Sequence, residues 1–180
     1  MKLAEKTAIV TGAGRNIGEE IAVLFAQEGA KVAVVDMDES RAKAVADRIK
    51  RDGGEAAAIL CDVSDTGDIA KMVSATVDAF GAIDILVNNV AISDNKDIFE
   101  ITEEEWRKTI DVTLSTPFYV TKQVANWMVD NDRGGKVINI GSTSGFKGRP
   151  SALAYTAAKG GVANLTQSMA VQLAPYGIIV

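Results

Sequence analysis

Residues 6–36 read KTAIVTGAGRNIGEEIAVLFAQEGAKVAVVD. Two short apolar runs, Lys6–Gly12 and Lys31–Asp36, flank a segment of a different period. Ile17, Ile21, Leu24 and Phe25 fall at i, i+4, i+7 and i+8, which is one face of an α-helix, and Gly29 ends it. The flanking runs are apolar throughout instead of alternating, the pattern of strands covered on both faces. Strand, glycine-rich turn, helix and strand in this order form the βαβ unit of a parallel sheet.

The alternation continues outward from this unit. Ala42, Val45, Ala46 and Ile49 mark a second helix, closed by Gly53-Gly54, and Ala56–Val63 is a third strand. Ile69, Met72, Val73, Val77 and Phe80 line a third helix stopped by Gly81, before a fourth strand, Ile83–Asn89. Thr102 and Glu105 have the spacing of a capping box, in which hydroxyl and carboxylate satisfy each other's backbone N–H. The helix they open runs to about Val129. Gly134-Gly135 then precede a fifth strand, Lys136–Ile140. A long helix from Ala152 to Ala174 puts Val162, Leu165, Met169 and Leu173 on one face, and Tyr176–Val180 begins a sixth strand. No linker, repeat or low-complexity stretch interrupts the chain. The expectation is a single α/β domain: a doubly wound, Rossmann-type parallel sheet in the order 3-2-1-4-5-6 with helices on both faces.

Composition removes whole classes of chemistry. The chain has 180 residues, 47% hydrophobic and 24% charged, enough for one domain with a sizeable core. Its net charge of −5 offers no basic footprint for nucleic acid. There is no His, which rules out a Ser-His-Asp triad, a His base and any His-ligated metal. The single Cys, Cys61, rules out an internal disulfide and a multi-Cys zinc site, so no metal site is expected. Asp, Glu, Lys and Tyr remain for acid–base work. Met1–Lys6 lacks the apolar run and cleavage site of a signal peptide, and no apolar run of about 18 residues exists. A soluble cytoplasmic protein without membrane contact is expected.

Thr11-Gly12-Ala13-Gly14-Arg15-Asn16-Ile17-Gly18 joins the first strand to the first helix. Glycines there let the backbone approach a diphosphate, and the helix start offers free N–H groups and a positive dipole end. A glycine turn made only for packing fits the same residues. The spacing also departs from G-x-G-x-x-G, because Ile17 takes the place of the third Gly and Gly18 follows. No Lys-Ser/Thr pair follows, so this is not a nucleoside-triphosphate loop. Asp36 ends the second strand, where a carboxylate can accept both ribose hydroxyls of an adenosine and would repel a 2′-phosphate. NAD is therefore favoured over NADP, with the Arg15 guanidinium as the counter-signal. Asp62-Val63, ending the third strand, could hold the adenine edge or simply form a strand-end turn.

Tyr155 and Lys159 stand at i and i+4 on one helix face, and Ser142 lies just past the fifth strand. Such a Tyr–Lys pair can be an ordinary surface pair. Here it lies downstream of a nucleotide-type loop, with a Ser at the carboxyl edge of the sheet where ligands bind. With TGAGRNIG, VVD, CDV, NNVA, the Ser142/Tyr155/Lys159 trio and LAPYGIIV in order, the chain resembles the short-chain dehydrogenase/reductase family over essentially all of its length.

The resemblance implies an oxidoreductase that moves a hydride between a nicotinamide cofactor and a secondary alcohol or ketone. Tyr155 would be the acid in reduction and the base in oxidation. A free Tyr has a pKa of about 10, and the Lys159 ammonium with an oxidised nicotinamide would lower it. Lys159 would also hold the nicotinamide ribose, and Ser142 would orient the substrate oxygen. Asn88 would brace the central strands and Thr11 the loop. Asn89, Val90 and Ala91 would lie along the cofactor.

Three positions depart from the family pattern. Asn16 stands for a Gly, and Asn tolerates left-handed backbone. Asn88-Asn89-Val90-Ala91 stands for Asn-Asn-Ala-Gly, and a Cβ at Ala91 crowds the ribose. Thr113 stands for a catalytic Asn whose backbone carbonyl holds a water in a proton relay. Pro117, four residues on, has no N–H for the Thr113 carbonyl, so the relay is expected to survive. An ordinary proline kink fits equally.

The family implies a homo-oligomer, dimer or tetramer, formed by the two long helices, with Phe118, Trp127 and Met128 as candidates for burial. The alternative is that these side chains cover the sheet within one chain. Stretches 93–99 and 146–153 would line the substrate site. Family members continue past the sixth strand, so residues 1–180 are expected to be a fragment or shortened product: the dinucleotide-binding domain with the catalytic residues, without the last strand and substrate lid. A non-catalytic dinucleotide-binding fragment is the alternative reading. A Rossmann-like methyltransferase is a third, and the Ser142/Tyr155/Lys159 set argues against it.

Overall fold

The structure, a computed structural model, describes residues 1–180. The strands are β1 (Thr7–Thr11), β2 (Lys31–Asp36), β3 (Glu55–Leu60), β4 (Ile85–Asn88), β5 (Gly135–Asn139) and β6 (Ile178–Ile179). They form one parallel sheet in the order β3-β2-β1-β4-β5-β6, as expected. The helices are α1 (Asn16–Gln27), α2 (Glu39–Arg51), α3 (Thr66–Phe80), α4 (Glu103–Ile110), α5 (Thr116–Asp130) and α6 (Leu153–Leu173).

Strand alternation splits the interior into two cores. Ile9, Val35 and Leu86 point to one face and meet Ile69 and Met72 of α3 and Val120, Val124 and Met128 of α5. Ala8, Val10, Val32, Val34, Ile85 and Val87 point to the other and meet Ala22 and Val23 of α1 and Ala42, Val45 and Ile49 of α2. Each fully buried Val, Leu, Ile or Met side chain among these contributes about 1.5–3 kcal/mol. β1, β2 and β4 are thus covered on both faces. β3 and β5 are not: Leu60 and Ile138 reach solvent. β3 is an edge strand, and α1 and α2 cover their face of the sheet without reaching β5.

The helix expected over Thr102–Val129 is broken. Its start is a true capping box on Thr102 and Glu105. A π-helical turn, Asp111–Ser115, then separates α4 from α5, and Pro117 lies in the first turn of α5. A proline without N–H inside a helical run forces the ladder to re-register there.

Asp84 locks the amino ends of the central strands. It is buried, accepts the Thr7 N–H at 2.9 Å and the Arg133 guanidinium at 3.1 Å, and lies 3.7 Å from the Lys6 ammonium. At the opposite, carboxyl edge of the sheet, Thr11, Asp36, Asn88 and Asn139 end their strands side by side.

Candidate functional site

The glycine turn sits on this carboxyl edge. Gly12 has φ +61°, and a Cβ there would lie 3.0 Å from Val90 Cγ2, so the turn is closed against the segment after β4. Gly18, in the first turn of α1, comes equally close to the turn: a Cβ would overlap the Gly12 carbonyl. Asn16 adopts φ 53°, the left-handed backbone that an Asn tolerates. Arg15 precedes α1 with extended backbone and gives it no side-chain cap. The first N–H groups of α1 therefore have no side-chain acceptor, and Ile17 beside them is exposed. Uncapped N–H groups next to a backbone that Cβ atoms would obstruct suit the diphosphate of a dinucleotide.

Three side chains, Thr11, Asn89 and Asp36, hold the turn in place. The Thr11 hydroxyl donates to Val87 O at 3.2 Å and accepts the Asn89 N–H at 3.1 Å. The Asn89 amide donates to Thr11 O and Gly12 O at 3.0 and 3.2 Å. Asn89 is thus fastened to the turn itself. Asp36 is buried; one oxygen accepts the Gly14 N–H and the other the Asp38 N–H, both at 3.0 Å. A carboxylate offers about four acceptor positions, so two remain for a ribose diol. Asp62 is exposed and accepts the Ser64 N–H and hydroxyl at 2.9 and 2.7 Å, a strand-end turn, while Val63 beside it is buried. Ala91 is exposed and Val90 half-buried.

Ser142 follows β5 and opens a 3₁₀ turn, Thr143–Gly145, by accepting the Ser144 N–H at 3.1 Å. This turn lies directly on α6: a Cβ on Gly145 would sit 2.7 Å from Lys159 O. Tyr155 is half-buried in the first turn of α6, and Lys159 is 4% exposed one turn later. The Lys159 ammonium donates to Ile140 O at 2.5 Å and lies 5.8 Å from the centre of the Tyr155 ring. Burial holds the Lys159 pKa below the ordinary lysine value. No carboxylate pairs with it; the carbonyl of Ile140 is its polar partner and favours the charged form. The structure thus gathers the Ser142 turn, Tyr155 and Lys159 at the edge that carries the glycine turn.

Thr113 is fully buried in the π-helical turn. Its hydroxyl donates to Ile92 O at 3.0 Å and accepts the Ile92 N–H at 3.1 Å, clamping the segment after β4. Nearby, the Thr116 N–H bonds to Asp111 O and its hydroxyl to Val112 O at 2.8 Å.

Asn88 was expected to brace the central strands; the residues it works with, and several other supporting contacts, escaped the sequence reading. Asn88 donates to Thr121 of α5 at 3.0 Å and to Asn139 of β5 at 2.8 Å, and Asn139 donates to Thr166 of α6 at 2.9 Å. The signal for Asn139 was an amide inside an apolar strand. Asp94 accepts the Tyr155 N–H at 3.2 Å across 61 residues, and Ala152 N–H bonds to Lys96 O at 3.0 Å. No local signal marks these contacts, because their partners are far apart in the chain. No helix is long and apolar enough to cross a membrane.

Known proteins match this arrangement. The sequence profile of the family described as short chain dehydrogenase matches residues 6–180. A galactitol 2-dehydrogenase of Agrobacterium fabrum is 43% identical over 178 residues, covering 99% of this chain and 68% of that protein. A sorbitol dehydrogenase of Cereibacter sphaeroides is 39% identical, with 99% and 68% covered. The crystal structure of a short chain dehydrogenase from Mycobacterium smegmatis superposes with a TM-score of 0.96 at 32% identity, covering 98% of this chain and 75% of that one. With a six-stranded parallel sheet in the expected order and a family match over nearly its whole length, the chain belongs to the short-chain dehydrogenase family of oxidoreductases.

Proposed function

We propose that this chain oxidises a secondary alcohol of a polyol to a ketone with NAD, and runs the reverse reduction, using Tyr155 as the acid–base group. The observation that carries the reading is the buried Lys159 ammonium, without an acidic partner, beside the Tyr155 ring at the carboxyl edge of the sheet. The pair sets a proton-carrying hydroxyl beside a cation, the two groups that an acid–base step at a substrate oxygen uses.

The chain's own residues would divide the work as follows. The glycine turn from Thr11 to Gly18, including Arg15 and Asn16, receives the diphosphate. Asp36 takes the adenosine ribose and disfavours a 2′-phosphate, with Arg15 as the opposing charge. Asp62 and Val63 border the adenine, and Asn89, Val90 and Ala91 flank the path between the two ribose positions. Lys159 holds the nicotinamide ribose. Ser142 donates to the substrate oxygen and fixes its direction. Tyr155 accepts the hydroxyl proton as the carbonyl forms. A bound nicotinamide supplies the hydride acceptor for the carbinol carbon. Thr113 would contribute its backbone carbonyl to a water-borne proton path at the π-helical turn.

The polyol reading draws on the galactitol and sorbitol dehydrogenases among the relatives. Residues 1–180 are read as the dinucleotide-binding domain with its catalytic set. Met128 lies in the core and Trp127 packs partly on it, whereas Phe118 stays 42% exposed with its ring 5.4 Å from Tyr119. Phe118 and Tyr119 on α5 thus leave an apolar surface for a second copy, consistent with a homo-oligomer.

The test is turnover of galactitol and sorbitol with NAD and NADP, alongside NADH fluorescence titration. Tyr155→Phe is expected to abolish turnover and retain NADH binding; retained turnover removes Tyr155 from the mechanism. NADH binding without turnover on any alcohol or ketone would reduce the reading to nucleotide binding.

A further inference from the structure

The start of α6 lacks a cap of its own. Ala152, at the N-cap position, is fully buried, has no polar side chain and sits at φ 63°, ψ 48°. That left-handed backbone is unfavourable for a residue with a Cβ, and the first N–H groups of α6 need acceptors. Acceptors for two of these N–H groups come from one loop elsewhere in the chain. Lys96 O accepts the Ala152 N–H at 3.0 Å, and Asp94 Oδ2 accepts the Tyr155 N–H at 3.2 Å.

We propose that Asp94 is a positioning residue for the reaction: its carboxylate caps α6 from the loop after β4 and so fixes Tyr155 relative to Ser142 and the cofactor-side segment. This rests on the reading of Tyr155 as the acid–base group.

The loop is itself held at three points. Thr113 clamps Ile92 through both backbone groups. Asp94 Oδ1 accepts the Lys96 N–H at 3.3 Å, which sets the plane of the carboxylate. The Lys96 ammonium pairs with Glu105 Oε1 at 2.5 Å, and Glu105 is part of the α4 capping box. A chain of contacts therefore runs from α4 through Lys96 and Asp94 to the amide of Tyr155. The glycine turn is held independently, fastened by Thr11 and Asn89, and Ser142 is anchored to the end of β5, its turn resting on α6 at Lys159, one helical turn beyond Tyr155. Loosening Asp94 displaces the phenol against these fixed groups and leaves the glycine turn untouched. The Tyr155 bond needs an acceptor oxygen and not a charge, so Asn can keep it by turning its oxygen to the Tyr155 N–H and giving up the longer bond from the Lys96 N–H, whereas Ala keeps neither.

The experiment compares Asp94→Ala, Asp94→Asn and Tyr155→Phe with the unaltered chain, on whichever of galactitol or sorbitol turns over faster. It reads kcat, the NADH dissociation constant, and backbone amide exchange in residues 153–157. Asp94→Ala is expected to lower kcat about 10- to 100-fold, since small misplacements of a reacting group cost that much, while NADH affinity stays within about 3-fold. Amide exchange at 153–157 should accelerate. Asp94→Asn should bring kcat and exchange back to within about 3-fold of the unaltered chain. The proposal is overturned if Asp94→Ala leaves kcat unchanged, if exchange at 153–157 is unaffected, or if Asp94→Asn is as impaired as Asp94→Ala. Turnover by Tyr155→Phe would sink the acid–base reading by itself, whatever the exchange data say about the cap.

Discussion

Alanine in place of glycine should have opposite effects in two helices of this molecule. Gly18 lies in the first turn of α1, and a Cβ there would overlap the Gly12 carbonyl oxygen, sit 2.9 Å from its carbon and 2.7 Å from the Asn89 amide nitrogen. The nearest atoms are backbone, so no rotamer change relieves the clash. Either α1 or the glycine turn must move by about 1 Å, and overpacking of this kind costs about 1–3 kcal/mol. For a chain of this size each kcal/mol lowers Tm by about 2–4 °C. The displaced turn is also the proposed diphosphate seat, so NADH should bind roughly 10- to 100-fold more weakly, the equivalent of about 1.4–2.8 kcal/mol. Gly160, inside α6, is the internal control. A Cβ there would meet nothing closer than Gly145 O at 3.4 Å. Removing a helix-interior glycine then gains up to about 1 kcal/mol, and Gly160→Ala should raise Tm. Thermal denaturation followed by circular dichroism, together with NADH titration, reads both variants. If Gly18→Ala melts no lower than the unaltered chain and binds NADH as well, the close approach of α1 to the turn is wrong.

Three further outcomes follow from named contacts. Asp84→Ala leaves the buried Thr7 N–H without an acceptor, at about 1–3 kcal/mol, and the half-exposed Lys6 and Arg133 add little; Tm should fall by roughly 2–12 °C, and Asp84→Asn, which keeps an acceptor, should recover most of it. Asp36→Ala removes the charge opposed to a 2′-phosphate and should shift the ratio of kcat/KM for NADP over NAD upward by about 10- to 100-fold; an unchanged ratio would remove Asp36 from cofactor choice. The Lys96 ammonium, with the Thr102 amide and hydroxyl, pulls the Glu105 carboxyl from its ordinary 4.5 down to about 2. A carboxyl lowered on folding stabilises above its unfolded pKa and loses that contribution as pH falls through the folded one. The Tm gap between the unaltered chain and Glu105→Gln should therefore be full at pH 7 and close between pH 4.5 and 2.

Much of the architecture was legible because it is local. The apolar runs at β1, β2 and β4, the glycine turn and the Thr102/Glu105 box each declare themselves within a few residues, and strand order follows from βαβ connections. The break in the helix after Ile110 was legible only as a proline; that it takes the form of a π-helical turn depends on how Thr113 and Thr116 satisfy nearby backbone groups. Strand burial was over-read at β3 and β5, since an apolar run does not say whether a helix covers each face. In the site, the identities of Ser142, Tyr155 and Lys159 were visible. What holds them was not, because Asp94 and Tyr155, or Asn139 and Thr166, meet only once the chain has folded.

The amides beneath the site form a ladder with a direction. Asn88 donates to Asn139, Asn139 donates to Thr166, and the Thr166 hydroxyl donates to Val162 O. Rotating either amide by half a turn would set oxygen against oxygen, so each orientation is dictated by the next. Asp at 139 would forfeit the donor that Thr166 receives, and Leu would strand both neighbours. Such a ladder accepts compensated replacements of two or three members together more readily than a single one, which ties the history of β4, β5 and α6 to one another even where their surfaces diverge.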